Sequence, residues 1–586
     1  MKFYKNDKIV NILNIVFICS IIIFLIMAFI SFITVPVTGD IKVFIAAANQ
    51  AKYKDSRGIL QIFEAWELKG IANRLLMYFI YSVSGLFISY GNVVAYELAV
   101  KTIYAAILVL VIIISVCLLI KDIKQRIKYF LIIYFAFFAT FTASQLQVEM
   151  TCVLLMLFIM ACIVHGKLWS LIMAGITGSV LFFFKSIFFL LFISVLSGIV
   201  VYTDERKVMK KKYFIPLVSM VFSQLLLIVM VKMVYPQEFK DMSAAAEYQS
   251  TLFSAGSAKS LVSVLDNFTN MFNQSVIAIP FLLVAALCFI IVLIKFVKTQ
   301  QWIKVSAFIL CWLIPLDIII VSNTYFIYHY FLLVFPGIIS VFAFLEYINT
   351  EINSLIIFIG GCIAFITTIV CWKLKNGYAQ TGIINYSSLM MVILHLILIT
   401  LAVYCISSFI KYQFFVCCLV FSVCLFLWMN YSSVISPKYR NMKELDKYSM
   451  EICEDVFPED FCEKPVLFLD GGAAPFYIDA QSYSKYFFNL PLQRWQEGKK
   501  WEIQEQEYEL VMNYTGKYIL YSNWIGIEKY PELKQKIDNE YEKIPYSGLF
   551  VYSPEWNVFV LNALPGIEEI KNSNDIYLMI RKNNHV

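Results

Sequence analysis

Apolar residues in this chain fall into blocks about as long as the ~20 residues a helix needs to cross a hydrocarbon core. Thirteen such blocks can be drawn, near 10–35, 96–120, 129–145, 147–164, 169–184, 186–202, 213–235, 276–297, 303–322, 331–349, 353–372, 389–410 and 413–434. Those starting at 129, 169 and 186 are short. The first is too long for a signal-peptide core and has no small-residue cleavage site, so it reads as a retained span. After about 435 the pattern changes. "KPVLFLDGG" (464–472), "GKYILYSN" (516–523), "GLFVYS" (548–553) and "NVFVLNA" (557–563) read as strands, and "YPELKQKIDNEYEK" (530–543) as an exposed helix. The pattern predicts a polytopic α-helical membrane domain over 1–434 and an α/β domain over 435–586.

Composition agrees. Of 586 residues 60% are hydrophobic and 15% charged, and the mean hydropathy is +0.74, well beyond soluble norms. The net charge of +6 is small for this length and reads as membrane orientation, not nucleic-acid binding. Lys2, Lys5 and Lys8 precede the first span, while Lys121, Lys124, Arg126 and Lys128 follow the second. Arg206, Lys207 and Lys210 to Lys212 follow the sixth. The positive-inside rule then places the N-terminus in the cytoplasm, and thirteen spans place the C-terminal domain outside. Glu346, Glu351, Lys373 and Lys375 run against this balance. Segments 36–95 and 236–275 also fall outside, the first with an amphipathic stretch at 67–87 that suits the interface plane.

Twelve of the fourteen cysteines lie in expected spans. Cys453 and Cys462 do not, and on an oxidising outer face they are a candidate disulfide, with two free thiols as the alternative. The four histidines form no metal cluster pattern.

On this topology the polar residues at the outer face form a short set. Asp40 lies just past the first span and Arg74 on the amphipathic stretch. Glu149 opens the fourth span in "SQLQVEMT", and Lys185 interrupts "LFFFKSIFF" at an outer turn. His329 and Tyr330 open the tenth span in "NTYFIYHYFLLVFPG". Each has an ordinary reading: a solvated loop acid for Asp40, headgroup phosphate binding for Arg74, a snorkelling amine for Lys185, a helix-start acid for Glu149 and an interfacial ring for His329. Together they place acids and bases from separate segments at one depth.

The order of these features resembles the GT-C superfamily of membrane glycosyltransferases. It is one span, an external segment opened by "GD", "WELKGIANRLLMYFIY", an acid opening span four, "ITGSVLFFFKS" and "YHYFLLVFPGIISVFAF". "LFLDGGAAPFYIDAQSYSKYFFNLPLQRW" (467–495) then resembles the opening of the external domain in bacterial members. The likeness is to the bacterial enzymes similar to protein O-mannosyltransferases and to the lipid A aminoarabinose transferase. It implies a sugar donor on a polyprenyl phosphate and inverting transfer to a glycan, lipid or protein acceptor at the outer face of a bacterial cytoplasmic membrane. It also implies Asp40 as general base. Lys185, Arg74 and His329 would meet the charge on the lipid phosphate, with Glu149 orienting the sugar or a basic partner. No cofactor follows from these residues. Asp40 has no acidic neighbour until Asp55, which disfavours a metal, although one carboxylate and a lipid phosphate can hold a divalent ion. "WWDYG" is absent, against peptide N-glycosylation.

Two other classes remain. A polysaccharide polymerase or ligase of another membrane fold would use similar lipid-linked glycans but carry its largest external segment between spans. A transporter would place ionisable groups at mid-depth, and Asp317 and Lys232 are the charges the pattern puts inside spans, both towards the outer end. In the C-terminal domain, Lys485 and Arg494 are available to glycans or phosphates, with no catalytic role.

Overall fold

The computed structural model describes residues 39–53, 70–90, 93–138, 146–203, 214–234, 281–321, 327–347, 458–469, 479–484, 502–522, 525–544 and 576–582, with isolated positions elsewhere. The spans expected at 353–372, 389–410 and 413–434 lie outside these residues. So do the strands expected at 548–553 and 557–563, and Asp55, Cys453, Lys485 and Arg494. Cys462 is described and exposed, but its pairing with Cys453 falls outside the description.

The chain is a polytopic helical membrane protein. Its first described helices are α1 (Gly39–Gln50), α2 (Ile71–Gly85), α3 (Val93–Leu119), α4 (Ile123–Phe138), α5 (Val148–His165) and α6 (Leu168–Phe184). A 3-10 turn over Ser186–Leu190 leads into α7 (Leu191–Tyr202), followed by α8 (Phe214–Val234), α9 (Phe281–Lys298) and α10 (Trp302–Val321). A second 3-10 turn, Ile327–Leu333, leads into α11 (Val334–Tyr347). Among the described residues, Ala95–Leu119, Val148–His165, Phe214–Val234, Trp302–Ile320 and His329–Tyr347 are long and apolar enough to cross a membrane. The long helices end within a few residues of their apolar blocks, whereas α4 starts six residues before the block expected at 129–145 and ends seven before its end.

Burial orders these helices. α5 packs on α3, α6, α7 and the turn before α11, so it is apolar on every side and lies inside the bundle. α8 exposes Phe222 and Met233, at 67% and 78%. Such a surface would be a liability in water and is a natural lipid face in a bilayer. The bundle closes by near backbone contact: a Cβ on Gly175 of α6 would lie 1.9 Å from Ser219 Oγ and 2.4 Å from the Pro216 carbonyl of α8. Small residues permit this approach where no hydrophobic force drives helices together.

The described residues of the segment expected outside at 36–95 are largely helical, and the amphipathic stretch expected at 67–87 contains α2. The segment holds α1, a 3-10 turn at Ala51–Tyr53, α2 and the first residues of α3. The C-terminal part is a four-stranded sheet in the order β1-β2-β4-β3, with β1 (Leu467–Leu469), β2 (Tyr518–Ser522), β3 (Tyr541–Ile544) and β4 (Ile576–Arg581). β1 and β2 are parallel, and β4 runs antiparallel to both β2 and β3. Side chains alternate between faces. Leu467, Leu469, Ile519 and Met579 pack beneath two helices, α12 (Glu502–Met512) and α13 (Pro531–Glu540). Phe468, Leu520 and Leu578 belong to the same continuous core as the helical bundle. The sequence reading missed β3, β4 and α12. It ran the helix at 530–543 into β3, whose "YEKI" lacks an apolar period; the helix stops at Glu540 because Tyr541 is extended and pairs with Arg581.

Candidate functional site

Four elements meet at one end of the bundle. α5 begins after Leu146, a buried residue held at φ +64°. Non-glycine residues seldom adopt this conformation, and it costs about 1–3 kcal/mol unless the surroundings impose it. It turns the chain so that Glu149, in the first turn of α5, points inward and is 1% exposed. Gln147 occupies the cap position without a side-chain hydrogen bond. Glu149 does not cap the helix with its carboxylate; it accepts a hydrogen bond from Lys185 Nζ at 2.6 Å. His329 Nε2 lies 3.5 Å from the same Oε1.

Lys185 sits where α6 stops. It is extended, at φ −150° and ψ 132°, and this break lets its side chain turn back towards the start of α5. Its ammonium also lies 5.1 Å from the Phe188 ring. It remains partly exposed, so one face of the amine is open beside a buried acid. His329 and Tyr330 come from the 3-10 turn before α11, and both are buried.

α2 enters from the side. A Cβ on Gly70 would lie 2.0 Å from the Phe183 carbonyl oxygen and 2.5 Å from that of Phe184. Only glycine permits such an approach. The contact places the start of α2 against the backbone immediately before Lys185. One turn on, Asn73 and Arg74 are buried. α1 packs along α2, so the helix that begins at Gly39–Asp40 adjoins the helix that carries Arg74. Asp40 is thus the second residue of a helix; its side chain lies outside the described residues. An acid there complements the helix dipole.

The structure brings Glu149, Lys185 and His329 into direct contact, and Tyr330 follows His329 in the same turn. Arg74 lies on the helix that starts against Phe183 and Phe184, and Asp40 on the helix that packs along it. Among the described residues no three His, Cys, Asp or Glu side chains converge as metal ligands.

The sequence reading overlooked one buried pair. Lys101 Nζ lies 2.9 Å from Glu97 Oε1 on α3, both nearly inaccessible. The charges placed inside spans are therefore not confined to Asp317 and Lys232. Glu97 precedes Lys101 by four residues, the favoured ion-pair spacing on a helix, and this was the legible signal. Lys101 is one turn from Tyr104, whose hydroxyl hydrogen-bonds Thr151 Oγ1 of α5 at 3.0 Å. That bond sets the pair at about the level of Glu149.

A second polar junction lies at the other end of α1. Asp479 accepts hydrogen bonds from Asn49 Nδ2 at 2.9 Å, Lys52 Nζ at 2.5 Å and the Tyr53 hydroxyl at 2.7 Å. Gln50 donates to the Ala480 carbonyl and accepts from the Ser482 amide, at 2.8 and 2.9 Å. Burial pushes the Asp479 carboxyl up, but the bonds from Asn49, Lys52 and Tyr53 outweigh it and hold the group below the ordinary carboxylate value. None of this was visible in the sequence, because the partners lie more than 400 positions apart.

Two solved structures are similar to this chain along nearly its whole course. One is ArnT from Cupriavidus metallidurans bound to undecaprenyl phosphate, with 10% sequence identity, a TM-score of 0.47 and coverage of 97% of this chain and 98% of that one. The other is the same organism's ArnT in the apo state, with 10% identity, a TM-score of 0.49 and coverage of 96% and 97%. No family model and no curated protein matches the sequence.

Proposed function

We propose that the chain is an integral membrane glycosyltransferase. It moves a sugar from a polyprenyl-phosphate-linked donor to a glycan, lipid or protein acceptor at the outer face of a bacterial cytoplasmic membrane. The observation that carries the reading is the Glu149–Lys185–His329 cluster, an acid and two basic side chains at one end of an apolar bundle. The positive-inside count assigns that end to the outside. The order of sequence motifs supplies the donor class.

In this mechanism the acceptor hydroxyl oxygen attacks the anomeric carbon as the carbon–oxygen bond to the lipid phosphate breaks, which inverts the centre. Asp40 takes the hydroxyl proton, a role that typically contributes about 10²- to 10⁴-fold. Lys185 and Arg74 meet the negative charge that grows on the departing phosphate. Glu149 holds the Lys185 ammonium at the site before the donor arrives, and that preorganisation lowers the reorganisation needed during transfer. His329 supplies a further donor, and Tyr330 packs the floor.

The test compares Asp40→Asn with the unmodified protein in a deletion strain, at matched membrane expression, by the sugar composition of surface glycans. The expected result is loss of one sugar on deletion and no restoration by the Asn variant. Full restoration would remove Asp40 as the base. An unchanged glycan profile on deletion would remove the transferase reading itself and leave transport or an unrelated role.

A further inference from the structure

The geometry points to Asp479 as a positioning residue, clamping from the C-terminal region the two helices that carry Asp40 and Arg74. This rests on the proposed transferase reading and adds to it the element that sets the site's geometry.

α1 is buried from Ile41 to Gln50. Its start carries Asp40 and its last turn carries Asn49 and Gln50. Asn49 is the node: its Nδ2 donates to Asp479, and its Oδ1 accepts from the Tyr81 hydroxyl of α2 at 2.5 Å. Tyr81 is seven residues, two helical turns, beyond Arg74 and so on the same side of α2. The Tyr81 carbonyl in turn accepts from the Tyr96 hydroxyl at the start of α3. This carboxylate therefore ties α1 and, through Asn49, α2 to the C-terminal region, beside the bonds of Gln50 to Ala480 and Ser482.

The other side of the clamp is equally fixed. Residues 481–483 lie beside Val466, which immediately precedes β1, with Val466 donating to the Gln481 carbonyl and accepting from the Tyr483 amide, each at 2.8 Å. Ser482 also forms a parallel bridge with Val466. Asp479 is thus anchored to the edge of the sheet. A shift of that sheet moves α1 as a rod, and about 1 Å of misplacement from a distant mutation can cost a reaction ~10²-fold.

The test uses the full chain in lipid nanodiscs and reads two quantities for Asp479→Ala, Asp479→Asn and Asp479→Glu. The first is amide hydrogen exchange over Gly39–Gln50, with Val148–His165 as internal reference. The second is steady-state sugar transfer with kcat and KM for the lipid donor separated. The Ala and Asn variants are expected to raise exchange in α1 about tenfold while the reference helix stays protected. Their kcat should fall about ten- to a hundredfold with KM for the donor within about twofold. The Glu variant, which keeps the charge, should recover most of both.

Unchanged exchange in α1 would overturn the clamp, as would raised exchange with unaltered kcat. Exchange rising equally in the reference helix in all three variants would make the contact part of the global fold and also overturn it. If the unmodified chain transfers no sugar, the transferase reading fails by itself, while the exchange data still judge whether Asp479 holds α1 and α2.

Discussion

At the residue scale the informative feature is the asymmetry of the Glu149–Lys185 pair, one partner sealed and the other partly open. Removing the lysine leaves a charged carboxylate in the interior, which typically costs about 3–5 kcal/mol, whereas removing both charges is often nearly neutral. Lys185→Met is therefore expected to lower stability in detergent by an amount of that order, and Glu149→Gln by less. The double variant should recover most of the loss, giving a coupling of about 1–3 kcal/mol in a thermal-unfolding cycle. Lys185→Met and the double variant should be inactive in transfer, because the amine is proposed to meet the leaving phosphate, and Glu149→Gln should be impaired, because the amine loses the group that holds it. A fully active Lys185→Met protein would show the amine to be only an interfacial charge. Lys185 and Glu149 could be nominated from sequence because each breaks an apolar run at an end. Their mutual bond could not be, because it depends on Leu146 turning α5 inward and on the extended backbone at Lys185.

At the scale of elements, the entry of α2 onto the end of α6 decides whether Arg74 and Lys185 serve one site. It rests on Gly70 passing against the carbonyls of Phe183 and Phe184. Gly70→Ala forces backbone against backbone, and overpacking of this kind costs about 1–3 kcal/mol. It should also displace Arg74 and reduce transfer strongly. Gly85, at the far end of the same helix, has nothing within 4 Å of a Cβ. Gly85→Ala should be neutral or stabilise by up to ~1 kcal/mol through helix propensity alone. Thermal unfolding and transfer assays on the two variants check the contrast, and equal effects would show that the Gly70 contact carries no geometry. Periodicity placed the long helices to within a few residues, since a membrane span is defined by length and apolarity. Within 36–95 it marked the amphipathic stretch at 67–87, where α2 lies, but missed α1, which at 12 residues is too short to register as a span and too uniformly buried to show an amphipathic period. Strand β4 escaped for a related reason: its run "IYLMIR" is apolar through most of its length and lacks the alternation that marks a strand.

At the scale of the whole molecule, among the described residues, the membrane bundle and the mixed sheet share an apolar core and an ionic junction at Asp479. The junction has a definite pH signature. Asn49, Lys52 and Tyr53 all donate to Asp479 and hold its folded-state pKa below the unfolded value of about 3.9. A depressed carboxylate contributes stability that is complete above its unfolded pKa and disappears as pH falls through the folded one. The contact should therefore be constant from about pH 5 to 8 and weaken only below about pH 4. Asp460 is lowered in the same direction by Lys517 and Tyr518, so the acid limb of the intact protein contains both groups. Asp479→Asn should remove the part of that limb seen as acid-induced exchange in α1, and Asp460→Asn should leave that part intact, since Asp460 bonds within the sheet region alone. Exchange in α1 measured from pH 3 to 8 separates the two. A transition centred near pH 6 to 7 would instead show that a group other than Asp479 controls the exchange of α1.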